Sequence, residues 1–378
     1  MTENTASQFL SDIQSLIAGN VFNSSYKLAL IICLADFAAE QNLANPKSEY
    51  RLSYVKLAER FLEIYWNQTK NFEIDRDDLS EPISLKISQE KQGKNLSILT
   101  MIESFIEKHP QNKSFISAKH TPDFQSLVKK CKAVVKKQPL NYLTGFEFLF
   151  KKDDTAELIT IPYDGISYLQ TFHYLVVQLA QYKWEQILRG YPKNSTLLKE
   201  SKSGFLREFL FENQRKENLK TVRDALIEIE YQINRSLSLP KDQLIIHCFY
   251  CGKNFDPLKG KWDADHFLPW SKFSPLRLAN FVPACEQCNR SKSDRLAFHE
   301  HLEKWLARLT RYGEIIEDAG NEFEIPVDIS LILYKAKDLY FGAINRHEEF
   351  WIQKTPRGPL LRQYAIGSES KLITKLFT

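Results

Sequence analysis

The chain has 378 residues, of which 43% are hydrophobic, 26% charged and 12% aromatic, so its composition excludes a wholly disordered protein. Its 51 basic and 47 acidic side chains leave a formal charge of +4, which neither demands nor excludes a polyanionic partner. The length favours two domains, each able to bury a hydrophobic core.

The N-terminal residues carry no export or membrane signal. Residues 1–7 are polar and lack the basic start and apolar run of a secretory signal. The longest early apolar run, residues 28–35, is too short to span a bilayer and stops at Asp36. These features predict a cytoplasmic protein with no membrane partner.

The first third of the chain has the periodicity of amphipathic helices. Apolar residues recur at three- and four-residue spacing over residues 8–41, which predicts two helices with a turn at 20–25. Ser53 opens a further helix that ends near Asn67, and another is predicted at about 97–107.

A basic helix is predicted over residues 123–137. Its lysines are Lys129, Lys130, Lys132, Lys136 and Lys137. Two interpretations stay open for them, a solvated helix face and a contact with a phosphate backbone.

The pattern changes to short β-like segments at 146–150 and 157–162, which predicts a small hairpin. Helical periodicity returns over 169–188 and 215–235, and a break at 237–240 marks the predicted domain boundary. After it, residues 296–312 and 329–351 are again predicted to be helical. The predicted fold class is therefore α+β, with a mainly helical sensor or partner-binding domain at 1–238 and a second domain at 239–378.

No repeat and no phosphate-binding Gly-rich loop is found, so ATP-driven work is not indicated.

Four of the six cysteines form two Cys-x-x-Cys pairs. These are Cys248, Cys251, Cys285 and Cys288. Two such knuckles supply the four thiolates of a closed tetrahedral zinc site, and clustering in a chain with no export signal favours metal over disulfides. Four cysteine ligands leave no open coordination position, so this Zn²⁺ is predicted to be structural and a second metal must support any hydrolysis. The remaining two, Cys33 and Cys131, are expected to be ordinary buried side chains.

The segment between the knuckles carries a second motif. Residues 263–269 read Asp-Ala-Asp-His-Phe-Leu-Pro, a central Asn follows at 280, and Cys-Asn-Arg-Ser-Lys-Ser-Asp closes the segment from residue 288. This pattern resembles the HNH, or ββα-metal, endonuclease family over about 50 residues, with its core at 248–294. It is especially similar to the HNH module of the RNA-guided CRISPR nuclease, although this chain is far too short to be that protein. The long helical region before the motif, with Ser-Ser-Tyr-Lys-Leu-Ala-Leu at residues 24–30, resembles more loosely the regions that precede HNH modules in prokaryotic defence and restriction proteins.

The residue types suit phosphodiester hydrolysis, which needs a general base and a divalent cation on one phosphate. His266 is the candidate base, because imidazole titrates near neutral pH. Asp265 and Asn289 offer the hard oxygen ligands that Mg²⁺ or Mn²⁺ prefers. By resemblance, Asn280 steadies the loop and orients the His266 ring.

Three further residues have weaker predicted roles. Lys292 lies one helical turn beyond Asn289, and it and Arg290 are candidates for phosphate contact. Asp263 is either an auxiliary acid or an ordinary turn residue.

Two functions remain open from the sequence. The first is a metal-dependent HNH endonuclease, a hydrolase that nicks DNA or cuts both strands as a homodimer. Its expected setting is antiviral defence or restriction, with an activating protein as a partner. The alternative is a zinc-dependent nucleic-acid-binding or scaffold protein with an inactive module. The presence of Asp265, His266, Asn280 and Asn289 together favours the enzyme.

Overall fold

The computed structural model describes residues 6–19, 22–41, 43, 49–74, 83–92, 96–112, 114–143, 146–198, 205–234, 244–256, 261–273, 275–364, 373 and 375–377. The chain forms two compact units, Met1–Glu217 and Asn218–Thr378, and each has its own hydrophobic core. The break predicted at 237–240 lies outside the described residues, so the domain boundary at 238 stays a prediction.

The first unit is mainly helical. Its helices, in chain order, are α1 (Ala6–Gly19), α2 (Tyr26–Ala39), α3 (Tyr54–Trp66), α4 (Ser97–Lys108), α5 (Phe115–Lys119), α6 (Phe124–Lys137), α7 (Pro139–Tyr142), α8 (Tyr163–Thr171), α9 (His173–Gly190), α10 (Pro192–Leu198) and α11 (Phe205–Arg207). A 3₁₀ turn at Asn67–Thr69 and a π-helical turn at Glu208–Glu212 follow α3 and α11.

Helix α2 lies at the centre of this unit. Twelve of its 14 residues are buried, and α3, α8 and α9 pack against it. A helix that is apolar all round is stable only when it is enclosed, which accounts for the uninterrupted apolar run in the sequence. Helix α3 is amphipathic instead, and Ser53 caps its start by accepting a hydrogen bond from the Lys56 amide, as predicted.

Two small antiparallel sheets complete the first unit. Strands β1 (Glu49–Ser53), β5 (Leu158–Pro162) and β4 (Lys151–Asp153) pair in that order, and β2 (Phe72–Ile74) pairs with β3 (Ile83–Leu85). The predicted hairpin is confirmed, but its first strand starts at Lys151 and not at 146–150, which form a turn. Phe148, Leu149 and Phe150 are core side chains whose apolar character does not depend on strand periodicity.

The second unit is an α+β assembly. Its elements are α12 (Asn213–Asn234), which spans the division between the units, then β6 (Ile246–His247), β7 (Asn254–Phe255), β8 (Asp263–His266), β9 (Phe281–Ala284), α13 (Glu286–Lys292), α14 (His299–Glu322), α15 (Ile329–Asn345), β10 (Phe350–Thr355) and β11 (Gly358–Arg362). The strands form three hairpins, β6–β7, β8–β9 and β10–β11.

The helix predicted over 329–351 is wrong at its C-terminal end. Helix α15 ends at Asn345, and His347 adopts a left-handed φ of 55°. The amides of His347 and Glu348 bond back to the carbonyls of Ile344 and Ala343, which closes the helix in a Schellman motif. The following residues form the hairpin β10–β11 instead. None of the helices in the described part of the chain has the length and apolar character needed to cross a membrane.

Candidate metal centres and catalytic site

The motif residues lie on a β-hairpin followed by a short helix. Strands β8 and β9 pair antiparallel, with Asp263 opposite Ala284 and His266 opposite Phe281. Strand β9 leads directly into α13 through Cys285, whose Sγ caps the helix by accepting a hydrogen bond from the Cys288 amide at 3.4 Å. The order is therefore strand, strand, helix, with α13 packed against β8.

The first cysteine knuckle is the turn between β6 and β7. The Gly252 amide donates to the Cys248 carbonyl, and the Cys248 amide donates to the Lys253 carbonyl, both at 2.9 Å. Gly252 has a φ of 71°, a conformation that side chains other than glycine's rarely adopt. The Phe249 amide donates to the Pro283 carbonyl at 2.8 Å and so fixes this knuckle to β9.

The two knuckles bring the four predicted sulfurs together, all within 4.8 Å of one another. A tetrahedral zinc with bonds of about 2.3 Å needs sulfurs about 3.8 Å apart. The Sγ atoms of Cys251 and Cys285 are separated by 3.9 Å. Hydrogen bonds from the Cys288 thiol and from nearby backbone amides lower the pKa of Cys248 despite its burial, which favours the thiolate. The donor set and its spacing therefore fit a structural zinc ion.

The motif's acidic side chains occupy one face of β8, because side chains two apart on a strand point the same way. Asp263 accepts a hydrogen bond from Asn289 on α13, with Nδ2 to Oδ2 at 3.0 Å. This bond uses the NH₂ group of Asn289 and directs its amide oxygen elsewhere. Asp263 therefore orients the side chain of Asn289.

Asp265 is held by two partners. Lys292 Nζ lies 3.0 Å from Oδ2 and 3.3 Å from Oδ1, and it also donates to the His266 carbonyl at 2.8 Å. The Tyr250 hydroxyl donates to Oδ2 at 2.5 Å. Burial raises the pKa of Asp265, and the Lys292 charge opposes that rise. Sequence reasoning missed Tyr250, since nothing in the spacing of the Cys-x-x-Cys knuckle marks its hydroxyl as functional.

His266 ends β8 and is 9% exposed, with its ring 4.2 Å from the Phe281 ring between centroids. The loop that follows it is held by Asn280, which is fully buried. The Asn280 side chain accepts from the Leu268 amide at 2.8 Å and donates to the Leu268 carbonyl at 3.0 Å. A two-way bond of this kind fixes the backbone two residues beyond His266, in keeping with the predicted loop-steadying role.

Aromatic side chains outside the motif enclose Tyr250. Its ring packs edge-on against Trp351 at 5.1 Å and His301 at 5.3 Å. His301 donates from Nε2 to the Ile352 carbonyl at 2.7 Å, and burial lowers its pKa. These contacts hold the tyrosine that in turn bonds Asp265.

The two predicted phosphate-contacting residues lie in different surroundings. Lys292 is fully buried against Asp265, so its ammonium acts on the acidic side chain in this structure. Arg290 projects outward with its side chain 77% exposed and pairs with Glu286 at 2.5 Å. Phosphate contact stays a prediction for both.

On the predicted basic helix, two of the five lysines are paired within the first unit. Lys132 lies 2.6 Å from Glu157 and Lys136 lies 3.7 Å from Asp154. Lys129, Lys130 and Lys137 are exposed. Two of the five charges are therefore compensated locally.

A catalytic divalent cation would find oxygen donors between β8 and α13. The carboxylates of Asp263 and Asp265 and the amide oxygen of Asn289 belong to facing elements and are the ligand types that Mg²⁺ and Mn²⁺ prefer. The donor chemistry therefore fits the group, with Lys292 already sharing the Asp265 carboxylate.

A ββα unit stapled by a four-cysteine centre, with an Asp-His strand facing an Asn-bearing helix, is the arrangement of an HNH nuclease module. The family model described as HNH endonuclease matches residues 248–295, which include all of these side chains. The chain as a whole belongs to the family described as domain of unknown function (DUF8808), whose model matches residues 6–203, more than half of its length. No curated protein and no solved structure matches the chain.

Proposed function

We propose that this protein is a metal-dependent endonuclease that hydrolyses phosphodiester bonds of DNA through His266. The observation that carries the proposal is the position of the His266 strand opposite α13. The four-cysteine centre orients that helix, so that Asn289 faces the acidic side chains of β8. A structural and a catalytic metal are then expected in the same module.

In this proposal His266 removes a proton from a water molecule, whose oxygen attacks the phosphorus while one P–O bond breaks. Mg²⁺ or Mn²⁺, when bound, would neutralise charge on the phosphate and on the leaving oxygen. Asp265 and Asn289 would hold that ion, and Asp263 positions Asn289 for it. Asn280 keeps His266 in place through the Leu268 backbone.

A module with one base and one cation breaks one strand at each engagement. Nicking is therefore the expected basic activity, and double-strand cutting would need a homodimer or a second event. The first unit, with its own core, is proposed to sense a target or an activating protein. Antiviral defence or restriction is the proposed biological setting, by the loose resemblance of the helical region before the motif alone.

A plasmid-nicking assay tests the proposal. The parent protein and His266→Ala, matched for zinc content, are incubated with supercoiled DNA and Mg²⁺ or Mn²⁺. The parent should convert the plasmid to the open circle, and the variant should be slower by about 10²–10⁴-fold, the usual contribution of a general base. Equal rates would refute the role of His266.

The alternative is a zinc-dependent binding or scaffold protein, and one observation favours it. Asp265 is already bonded by Lys292 and Tyr250, which satisfies a buried carboxylate without a cation. DNA binding without nicking by either protein, together with no detectable Mn²⁺ binding, would favour that alternative.

A further inference from the structure

The hairpin β10–β11 lies outside the segment that matches the HNH family and yet packs on α13. Trp351 anchors it, because its Nε1 donates to Ser291 Oγ at 3.0 Å and its amide donates to the Leu296 carbonyl at 2.9 Å. The Trp351 carbonyl accepts from the Phe298 amide at 2.7 Å. The root of the hairpin is therefore fixed to the helix that carries Asn289.

The hairpin carries basic but no acidic side chains. Residues 350–364 include Lys354, Arg357 and Arg362 and contain no aspartate or glutamate. The acids just before it are Glu348, which bonds Lys272 and Arg346, and the exposed Glu349 at the root. Lys354 and Arg357 are exposed, and the sequence of the hairpin offers them no neighbouring acid.

One of these cations contacts α13, whose exposed side carries a further cation. Lys354 Nζ bonds Gln287 Oε1, and Gln287 lies one helical turn before Arg290 on the exposed side of α13. Arg357 occupies the turn of the hairpin, where its amide donates to Thr355 Oγ1 at 3.2 Å. The three cations Lys354, Arg357 and Arg290 are named here the hairpin surface; Arg290 also pairs with Glu286, but its side chain is 77% exposed.

We propose that the hairpin surface binds the phosphate backbone of duplex DNA beside the cleavage site. Arg and Lys are the side chains that contact phosphates, and such contacts fix the register of a protein on the duplex. Arg290 of this surface lies on the same helix as Asn289. Trp351 of the hairpin packs against Tyr250, the side chain that bonds Asp265. This inference rests on the proposed function, because it assigns the substrate contact of the same site.

The test measures binding and not cleavage. The full chain, zinc-loaded and carrying His266→Ala, is titrated against a labelled duplex by fluorescence anisotropy over about 0.1–0.3 M KCl. A second protein adds Lys354→Gln and Arg357→Gln. The slope of log K against log salt is negative, and each lost phosphate contact makes it shallower by about 0.9. Loss of the pair should therefore make it shallower by about 1.8. The matching loss of affinity is about 60-fold at 0.1 M and about ninefold at 0.3 M salt, taking 1 M salt as the point where the charge contribution vanishes.

Two controls make the result specific. Arg311→Gln with Lys337→Gln removes the same charge from exposed positions of α14 and α15 and should leave the slope within about 0.5 of the parent. Lys354→Arg with Arg357→Lys keeps both charges and should retain the parent slope. An unchanged slope in the hairpin pair, an equal loss in the Arg311 and Lys337 pair, or no recovery in the charge-keeping pair would each overturn the inference. Nicking by the parent, measured separately, tests the proposed function, so that a failure of the hairpin inference and a failure of the enzyme are distinguishable.

Discussion

Lys292→Met removes the charge that neutralises Asp265 while it keeps an unbranched side chain of similar length. The side chains of Lys292 and Asp265 are 0% and 6% exposed, so the variant leaves a carboxylate inside the protein without its cation. Breaking a buried ion pair by removing one partner costs about 3–5 kcal/mol. The Tyr250 hydroxyl still donates to Asp265, so we expect a loss of unfolding free energy near the lower end, about 3 kcal/mol.

The size of this loss should depend on pH in a defined direction. Burial raises the pKa of Asp265 above its ordinary 3.8 even with Lys292 present, and removal of the ammonium raises it further. Between 3.8 and the folded pKa, the folded state holds a proton that the unfolded state has released. Unfolding free energy therefore falls as pH rises through that window, and the deficit of Lys292→Met should shrink on acidification.

The measurement is urea unfolding of zinc-loaded protein, followed by tryptophan fluorescence. Asp265→Asn with Lys292→Met should recover most of the loss, because no unpaired charge then remains. Lys272→Met is the control, since its pair with Glu348 is 2.9 Å long but only partly buried, and it should lose less than about 1 kcal/mol. A loss below about 1 kcal/mol in Lys292→Met, or no recovery in the double variant, would refute the reasoning.

Three further predictions concern the same unit. Removal of zinc should unfold it, because the ion would hold the two knuckles together through all four thiolates, and unchanged thermal stability after verified zinc loss would contradict this. Asn289→Ala should weaken Mn²⁺ binding, measured by electron paramagnetic resonance, while zinc content stays at the parent level; equal Mn²⁺ affinity would remove Asn289 from the ligand set. Burial lowers the pKa of His301 below 6.5, so its contribution to stability is complete above 6.5 and is lost as pH falls through the folded pKa. Unfolding free energy should therefore depend less on pH in His301→Gln than in the parent, and parallel curves would contradict the assignment.

The four-cysteine cluster was predictable because its information is local. Each Cys-x-x-Cys pair predicts a knuckle with two thiolate ligands. A tetrahedral zinc site needs four ligands, which predicts that two knuckles meet. The structure brings the four sulfurs together as that reasoning requires. The bonds of Lys292 and Tyr250 to Asp265 were not predictable, because they join residues 27 and 15 positions apart through the packing of α13 and the first knuckle.

The C-terminal hairpin was missed for a different physical reason. The C-terminal end of a helix is commonly marked by a glycine in the left-handed conformation, and here His347 adopts that conformation. Phe350, Trp351 and Ile352 then continue the apolar spacing of α15, so periodicity alone favours a longer helix. The exclusion of 146–150 from the first hairpin has a similar cause, since apolar side chains in a buried turn and in a strand look alike in sequence.

Helix α13 has only seven residues, and a helix of that length is not stable in water by itself. Two contacts outside the helix compensate for this. The second cysteine knuckle holds its first turn through Cys285 and Cys288, and Trp351 bonds Ser291 near its end. Because Asn289 and Lys292 face β8 while Arg290 faces outward, a rotation of the helix would misplace all three side chains. The module that positions the candidate site therefore reaches beyond residue 295 and includes the hairpin that ends at Arg362.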